Sequence, residues 1–508
     1  MERLRIRAEM VCNGSQQISM PEREKEPPPE ERMAQQRVVI GVDSSTQSTK
    51  AVAVDIDTGA VLGLGRAAHT VSEDGGRESD PERWWEALEE AVVRTGCAER
   101  AGAVSIAGQQ HGLVTLDAAG APIRPALLWN DVRSATQAAE LRDTVGAADL
   151  ARRTGSVPTA AFTAAKWAWL RANEPAAADR VAAVRLPHDF LTERLTGEAV
   201  TDRGDASGTG WWGPDGYDRD ILARIGLDPG LLPQVLPAGA RAGTVRPGTP
   251  LRQGALVATG TGDNMAAALG LGLLPGQPVL SLGTSGTVYA VGRTRPADPS
   301  GTVAGFADAL GDWLPLACTL NCTLAVDRFA ALLGRGREEV EDGGTAVVLP
   351  YLDGERTPDL PAASGLVHGL RHDTTPGQLL QAAYDGAAHA LLAALDGVLR
   401  AGGEDPAGDE PLLLIGGGAQ GRAWRQTVLR LSGRAVQVPA AQELVALGAA
   451  AQAAALLTGE RADAVARRWR TAQGPVLEPV DKDDDALERI GDTLRRAGAL
   501  QGAPATAR

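Results

Sequence analysis

VVIGVDSSTQSTKAVAVDI, residues 38–56, decides the fold. A β-branched run, a turn of Ser, Thr and Gln, and a second β-branched run read as strand, tight turn, strand. The unit returns as PVLSLGTSGTVYAV, residues 278–291. Placing Thr284 on Thr46 gives an offset of 238 residues, close to half the chain, and sets Ser281 on Asp43. Two related halves predict two lobes with a ligand cleft between them. A chance likeness of two small-residue turns is the plainer alternative.

Outward from the first unit, Asp80 is placed as the N-cap and Pro81 as the first residue of a helix over 81–94. AVSIAG (103–108) reads as a buried strand and LVTLD (113–117) as its hairpin partner. Strands and Ala-rich helices continue to alternate, which predicts an α/β protein with large mixed sheets. LLLIGGG (412–418) is a strand running into three glycines, followed by helices over about 420–431 and 442–457. The expected division is an N-terminal lobe over 37–271, a C-terminal lobe over 272–458, and a charged helical tail over 459–508 packed outside the core. Residues 1–36 include the charged, proline-rich PEREKEPPPEER and no apolar run, so a disordered extension and no signal peptide are expected there.

The 508 residues carry 50 Lys and Arg against 64 Asp and Glu, a net charge of −14. That balance argues against nucleic acid and anionic membranes as partners, since both call for basic surface. A small phosphorylated ligand stays compatible, because backbone amides can hold it locally. Four cysteines (Cys12, Cys97, Cys318, Cys322) are too few for a disulfide framework and read as free thiols. No apolar stretch reaches the roughly 18–20 residues of a membrane span, and the expected compartment is the cytoplasm.

Five stretches can carry chemistry. In VDSSTQSTK (42–50), small residues let backbone amides and hydroxyls approach phosphate oxygens, and Asp43 suits a hydrated Mg²⁺. Lys50 reads as a solvated strand residue. LGTSGTV (282–288) offers the same donors from the second lobe, and the glycines of IGGGAQGRAW (415–424) would let a flat ring lie on the backbone. Neither a Rossmann nor a Walker A glycine pattern occurs. GTGDNMAAALG (260–270) puts Asp263 near a helix N-terminus, where a capping aspartate fits as well as a catalytic base. GQQHG (108–112) supplies Gln110 and His111 at a strand end, with donors and acceptors suited to sugar hydroxyls. ALLWND (126–131) adds Trp129 and Asp131, an apolar face and an acid.

Taken together the chain resembles the FGGY family of carbohydrate kinases, over about Val38 to Gly459. GERTP (354–358) and the run Gly365–Asp385 carry the likeness most strongly, and FTAAKWAWL (162–170) is similar to the family's N-terminal signature. The resemblance implies the actin/hexokinase/Hsp70-like (ribonuclease H-like) fold, with two lobes around a cleft. GQQHG, LLWND, PHDFLTERLTGE (187–198), DASGTGWW (205–212) and GDN are similar to family members acting on D-xylulose. By position the likeness implies Asp263 as catalytic base, and Gln110, His111 and Asn264 on the sugar side with Trp129 and Asp131. Asp43 (through water to Mg²⁺), Ser45 and Thr46 would serve metal and phosphates. Gly283, Thr284 and Ser285 would form a second phosphate loop, and Gly416, Gly417 and Gly418 would approach the adenosine of ATP. Gln110 stands where Met is frequent in the family and Ser45 where Gly is common, which touches sugar selectivity and loop stiffness. Ribulose, gluconate or glycerol are the alternative acceptors, a non-catalytic nucleotide-binding protein is the alternative of another class, and a homodimer is left open.

Overall fold

A computed structural model of the protein describes residues 37–72 and 75–501. The extension expected over residues 1–36 lies outside the described residues. Val38–Ser44 is buried along its whole length and forms the middle of a seven-stranded sheet. It pairs antiparallel with Ser48–Asp55, which pairs antiparallel with Val61–Ala68. On its other side it pairs parallel with Ala101–Gly108, which pairs parallel with Leu256–Ala258. A strand covered on both faces should be apolar throughout rather than alternating, and VVIGV is.

The second sheet repeats that order. Pro278–Leu282 pairs antiparallel with Gly286–Ala290, and Gly286–Ala290 with Trp313–Thr319. Pro278–Leu282 also pairs parallel with Leu412–Ile415, and Leu412–Ile415 with Val436–Gln437. The likeness between the two sequence units is thus a likeness between two sheets.

Alternate residues of the central strand face different helices. Val38, Ile40 and Val42 pack with Trp84, Leu88 and Val92 of the helix Pro81–Arg94, capped by Asp80. Val39 joins Ala446, Leu447 and Ala450 of the helix Leu444–Thr458 on the opposite face. Gly41 permits that approach: a Cβ there would stand 1.9 Å from the Ala446 carbonyl oxygen. The helix Asp263–Gly270 crosses the same helix just as closely, at Gly448 over Ala266. Its Met265, Ala268 and Leu269 reach Val279, Leu314 and Leu316 of the second sheet. The helix that Asp263 begins is therefore wedged between the two lobes.

Three expectations change. Val114–Leu116 pairs with Ala183–Arg185 rather than with the 101–108 strand. The helix Leu444–Thr458, although late in the sequence, packs on the first sheet. The segment after Gly459 is no outer tail: Val465, Ala466 and Trp469 enter the first lobe's core, and Val476–Leu477 extends the second sheet. Cys318 lies near the end of the strand Trp313–Thr319, and Cys322 directly precedes the helix Thr323–Leu332. Among the described residues no helix is long and apolar enough to cross a membrane.

Candidate active site

The first hairpin turns between Ser44 and Ser48, closed by the Ser45 amide donating to the Ser48 carbonyl at 3.0 Å. Asp43 is buried beside it. Its Oδ1 accepts from the Ser45 hydroxyl at 2.7 Å, and Lys50 Nζ lies 3.9 Å from Oδ2. Burial pushes the Asp43 carboxyl up to about 6, against the pull of Ser45 and Lys50. Lys50 is not a solvated strand residue: its ammonium sits 2.6 Å from Glu443, just ahead of the Leu444–Thr458 helix. Thr46 Oγ1 accepts from Trp129 Nε1 at 3.1 Å, so Trp129 flanks the turn.

Thr261 and Gly262 pair with Ala107 and Gly108, which carries Asp263 alongside Gln110. Gly262 is needed there, since a Cβ would lie 2.7 Å from Gln110 Cγ. Asp263 is the first residue of its helix, after Gly262 as N-cap. Asp263 Oδ1 accepts from the Asn264 amide at 2.8 Å and from Asn264 Nδ2 at 3.0 Å, and Nδ2 also donates to Gln110 Oε1 at 2.9 Å. Burial, then the nearby Asp43 and Asp205 carboxylates, push Asp263 up to about 7. A helix N-terminus alone would lower it, so burial, aided by the two neighbouring carboxylates, dominates. Gln110 Nε2 and both polar atoms of Gln109 are buried without a partner, which fits a hydroxyl-rich ligand.

His111 takes a left-handed backbone, φ 65°. Its Nδ1 meets the Gly208 carbonyl at 2.6 Å. A carbonyl only accepts, so Nδ1 carries the proton and Nε2 is left as an acceptor. Burial, then Lys166, holds the imidazole neutral, at about 3. Phe162 and Phe306, one from each lobe, stack at 4.9 and 5.6 Å. Asp131 departs from the sugar-binding expectation. Its carboxylate accepts from the Arg77 amide at 2.7 Å and from the amide and guanidinium of Arg133, so it positions the WND turn instead of facing a ligand.

In the second lobe, Gly283–Ser285 joins the two hairpin strands, and Gly283 O accepts from Thr323 N at 3.1 Å and Oγ1 at 2.7 Å. The parallel pairing of Leu412–Ile415 with the first of those strands delivers Gly416, Gly417 and Gly418 beside this loop. Gly416 needs its φ of 83°, and a Cβ at Gly417 would meet nothing. That open backbone face fits a nucleotide. Among the described residues no three His, Cys, Asp or Glu side chains converge as a closed metal site. A Mg²⁺ bound by one carboxylate, water and phosphates matches that donor set.

Sequence reasoning passed over Lys166, Asp205 and His188. Lys166 is fully buried, donates to the Ala161 carbonyl, and burial brings it down to about 7. His188 Nδ1 lies 2.9 Å from Asp205 and Nε2 lies 3.2 Å from Asp189. Lys166, His188 and Asp205 fall inside quoted motifs, yet nothing in a linear pattern says that three separate helices will bring Lys166 toward His111 and the His188–Asp205 pair toward Asp263.

The model of the N-terminal domain of the FGGY family of carbohydrate kinases matches residues 38–270, and that of its C-terminal domain matches 279–457. The chain belongs to the FGGY family of carbohydrate kinases. It is 68% identical to xylulose kinase of Streptomyces coelicolor over 469 residues, 91% of this chain and 97% of that one. Xylulose kinase of Escherichia coli K12 is 34% identical over 419 residues, 78% of this chain and 85% of that one. Among solved structures, xylulose kinase from Bifidobacterium adolescentis superposes with TM-score 0.81 at 33% identity, covering 90% of this chain and 99% of that one. The two-lobed α/β fold expected from the resemblance is the observed one. As a kinase of this family the chain uses ATP as phosphoryl donor and a small sugar as acceptor.

Proposed function

We propose that this kinase phosphorylates D-xylulose to D-xylulose 5-phosphate, with Asp263 as general base. The observation that carries the chemistry is the Asp263–Asn264–Gln110 hydrogen-bonded row, set across from Asp43 and the first hairpin. The choice of D-xylulose rests on the relatives that share two thirds of this sequence.

The amide and Nδ2 of Asn264 hold Asp263 Oδ1, with Gln110 Oε1 accepting from the same Nδ2, which leaves the other oxygen of Asp263 for a sugar hydroxyl. A carboxyl pushed up by burial to about 7 is a stronger base than an ordinary aspartate for that hydroxyl's proton as the oxygen attacks the γ-phosphorus. Neutral His111 offers Nε2 to another sugar hydroxyl, and Gln110 Nε2 donates to a further one. Mg²⁺ held through Asp43 and water supplies charge neutralisation at the phosphate oxygens when bound. The amides around Ser45 and Thr46 and around Gly283, Thr284 and Ser285 approach the phosphates from opposite lobes, and Gly416–Gly418 face the adenosine. An ATP-dependent enzyme on a free sugar also fits the cytoplasm.

A coupled ADP assay over D-xylulose, D-ribulose, gluconate and glycerol tests the substrate. The expected result is the largest kcat/KM with D-xylulose; a larger value for any of the others reverses the assignment.

A further inference from the structure

GERTP, residues 354–358, is left without a task by the reaction as described. Glu355 is 1% exposed. Its carboxylate accepts from the Leu320 amide at 2.6 Å, Asn321 Nδ2 at 3.0 Å and the Arg356 amide at 2.8 Å. Thr357 Oγ1 donates to the Cys318 carbonyl at 2.8 Å, and Asn321 Nδ2 to the Gly354 carbonyl at 2.7 Å. Both neighbours of Arg356 are thus tied to residues 318–321. Thr323, two residues further along, braces the Gly283–Ser285 loop through Gly283 O. One short segment therefore anchors both the phosphate loop and the loop that bears Arg356.

Arg356 itself is exposed, and among the described residues its guanidinium makes no hydrogen bond or ion pair. Its charge is nevertheless felt at His111 in the other lobe, where it adds to burial and Lys166 in disfavouring the imidazolium. An unshared cation is therefore carried on a loop tethered to the segment that braces the second-lobe phosphate loop, with its charge reaching His111 of the first lobe. The first-lobe side is acidic, through Asp43, Asp205 and Asp263, and Lys50 is drawn toward Glu443 at 2.6 Å. An incoming phosphoryl group meets repulsion there unless a cation offsets it. A guanidinium suits this role, because its fixed fork of donors matches phosphoryl oxygens.

We infer that Arg356 is a catalytic residue, the second-lobe cation that pairs with the phosphoryl oxygens during transfer and then with the phosphate of the sugar product. The inference rests on the kinase reading above. In the step, the sugar hydroxyl oxygen forms the new P–O bond and its proton passes to Asp263. The bond between the γ-phosphorus and the β,γ-bridging oxygen breaks, and its electron pair leaves on ADP. Arg356 keeps its proton throughout.

The test uses the full chain with Arg356→Ala and Arg356→Lys. Turnover of D-xylulose, binding of D-xylulose and of D-xylulose 5-phosphate, and melting temperature are measured together. Arg356→Ala should lower kcat by about 100-fold with KM for D-xylulose within threefold. It should weaken D-xylulose 5-phosphate binding at least tenfold while sparing D-xylulose, and Arg356→Lys should recover part of both losses. Unchanged kcat, or equal weakening of both sugars, overturns the inference. A folded Lys variant that loses product binding as deeply as the Ala variant also overturns it, since a cation at this position should recover part of the attraction. Wild-type turnover in the same assay reports on the kinase reading separately.

Discussion

Two hairpins built to one plan differ in a single kind of side chain. In the first, Ser45–Ser48 connects the paired residues Ser44 and Thr49; in the second, Gly283–Ser285 connects Leu282 and Gly286, one residue shorter. Both expose hydroxyls and backbone amides from a turn of small residues. At the strand end, however, the first carries Asp43, paired across to Lys50, and the second carries Ser281, paired across to Thr287. The shared part of the plan suits phosphate. The unshared carboxylate, buried and close enough to raise Asp263, concentrates the acidic groups in one lobe. A second acid at position 281 would set two like charges around the same phosphates.

Breaking the asymmetry on the first side should cost most. Asp43→Asn is expected to lower kcat on the order of 100-fold, whereas Ser281→Ala should stay within about threefold; equal losses from the two would erase the distinction between the hairpins. Adding the missing acid tests the other side. Ser281→Asp should raise KM for ATP by about tenfold, an opposing interaction of about 1.4 kcal/mol, and should not restore turnover to Asp43→Asn. A rescued double variant would mean that the hairpins are interchangeable.

The smallest effect is a shift in pH. Asp263 acts as base only when ionised, so kcat/KM for the free enzyme should rise with pH through about 7. Asp43 is one of the charges that raise Asp263, so removing it should move that limb downward; an unmoved limb would uncouple the two carboxyls. Stability runs the opposite way. Both carboxyls hold protons more tightly in the fold than their ordinary value of 3.8 allows. The native state therefore binds more protons than the unfolded chain between about 4 and 7, and stability falls as pH rises through that range.

Much of this was legible in sequence, because strand-turn-strand units are local and their β-branched runs announce themselves. The capped start of the helix after Asp80 and the glycine-bracketed Asp263 are local signals too. The packing of the helix Leu444–Thr458 on the first sheet is not legible in sequence for a physical reason: it is Ala-rich on every side, so its pattern names no partner, and glycine contacts at Gly41 and Gly270 decide where it packs. An acid beside a tryptophan looks the same in sequence whether its donors come from a sugar or, as for Asp131, from Arg77 and Arg133. The tail after Gly459 reads as charged, yet its sparse apolar positions, Val465, Ala466 and Trp469, fall on one face and are buried. Arg356 and Lys166 stand in quoted motifs, but their nearness to His111 is a property of folding distant segments together.

The most direct test of the account is the turnover of Asp263→Asn on D-xylulose, with ATP affinity measured on the same sample. The account predicts sugar-dependent ADP formation reduced on the order of 1,000-fold, with ATP affinity within a few-fold of wild type. Near-normal turnover from a folded variant would contradict the assignment of the base.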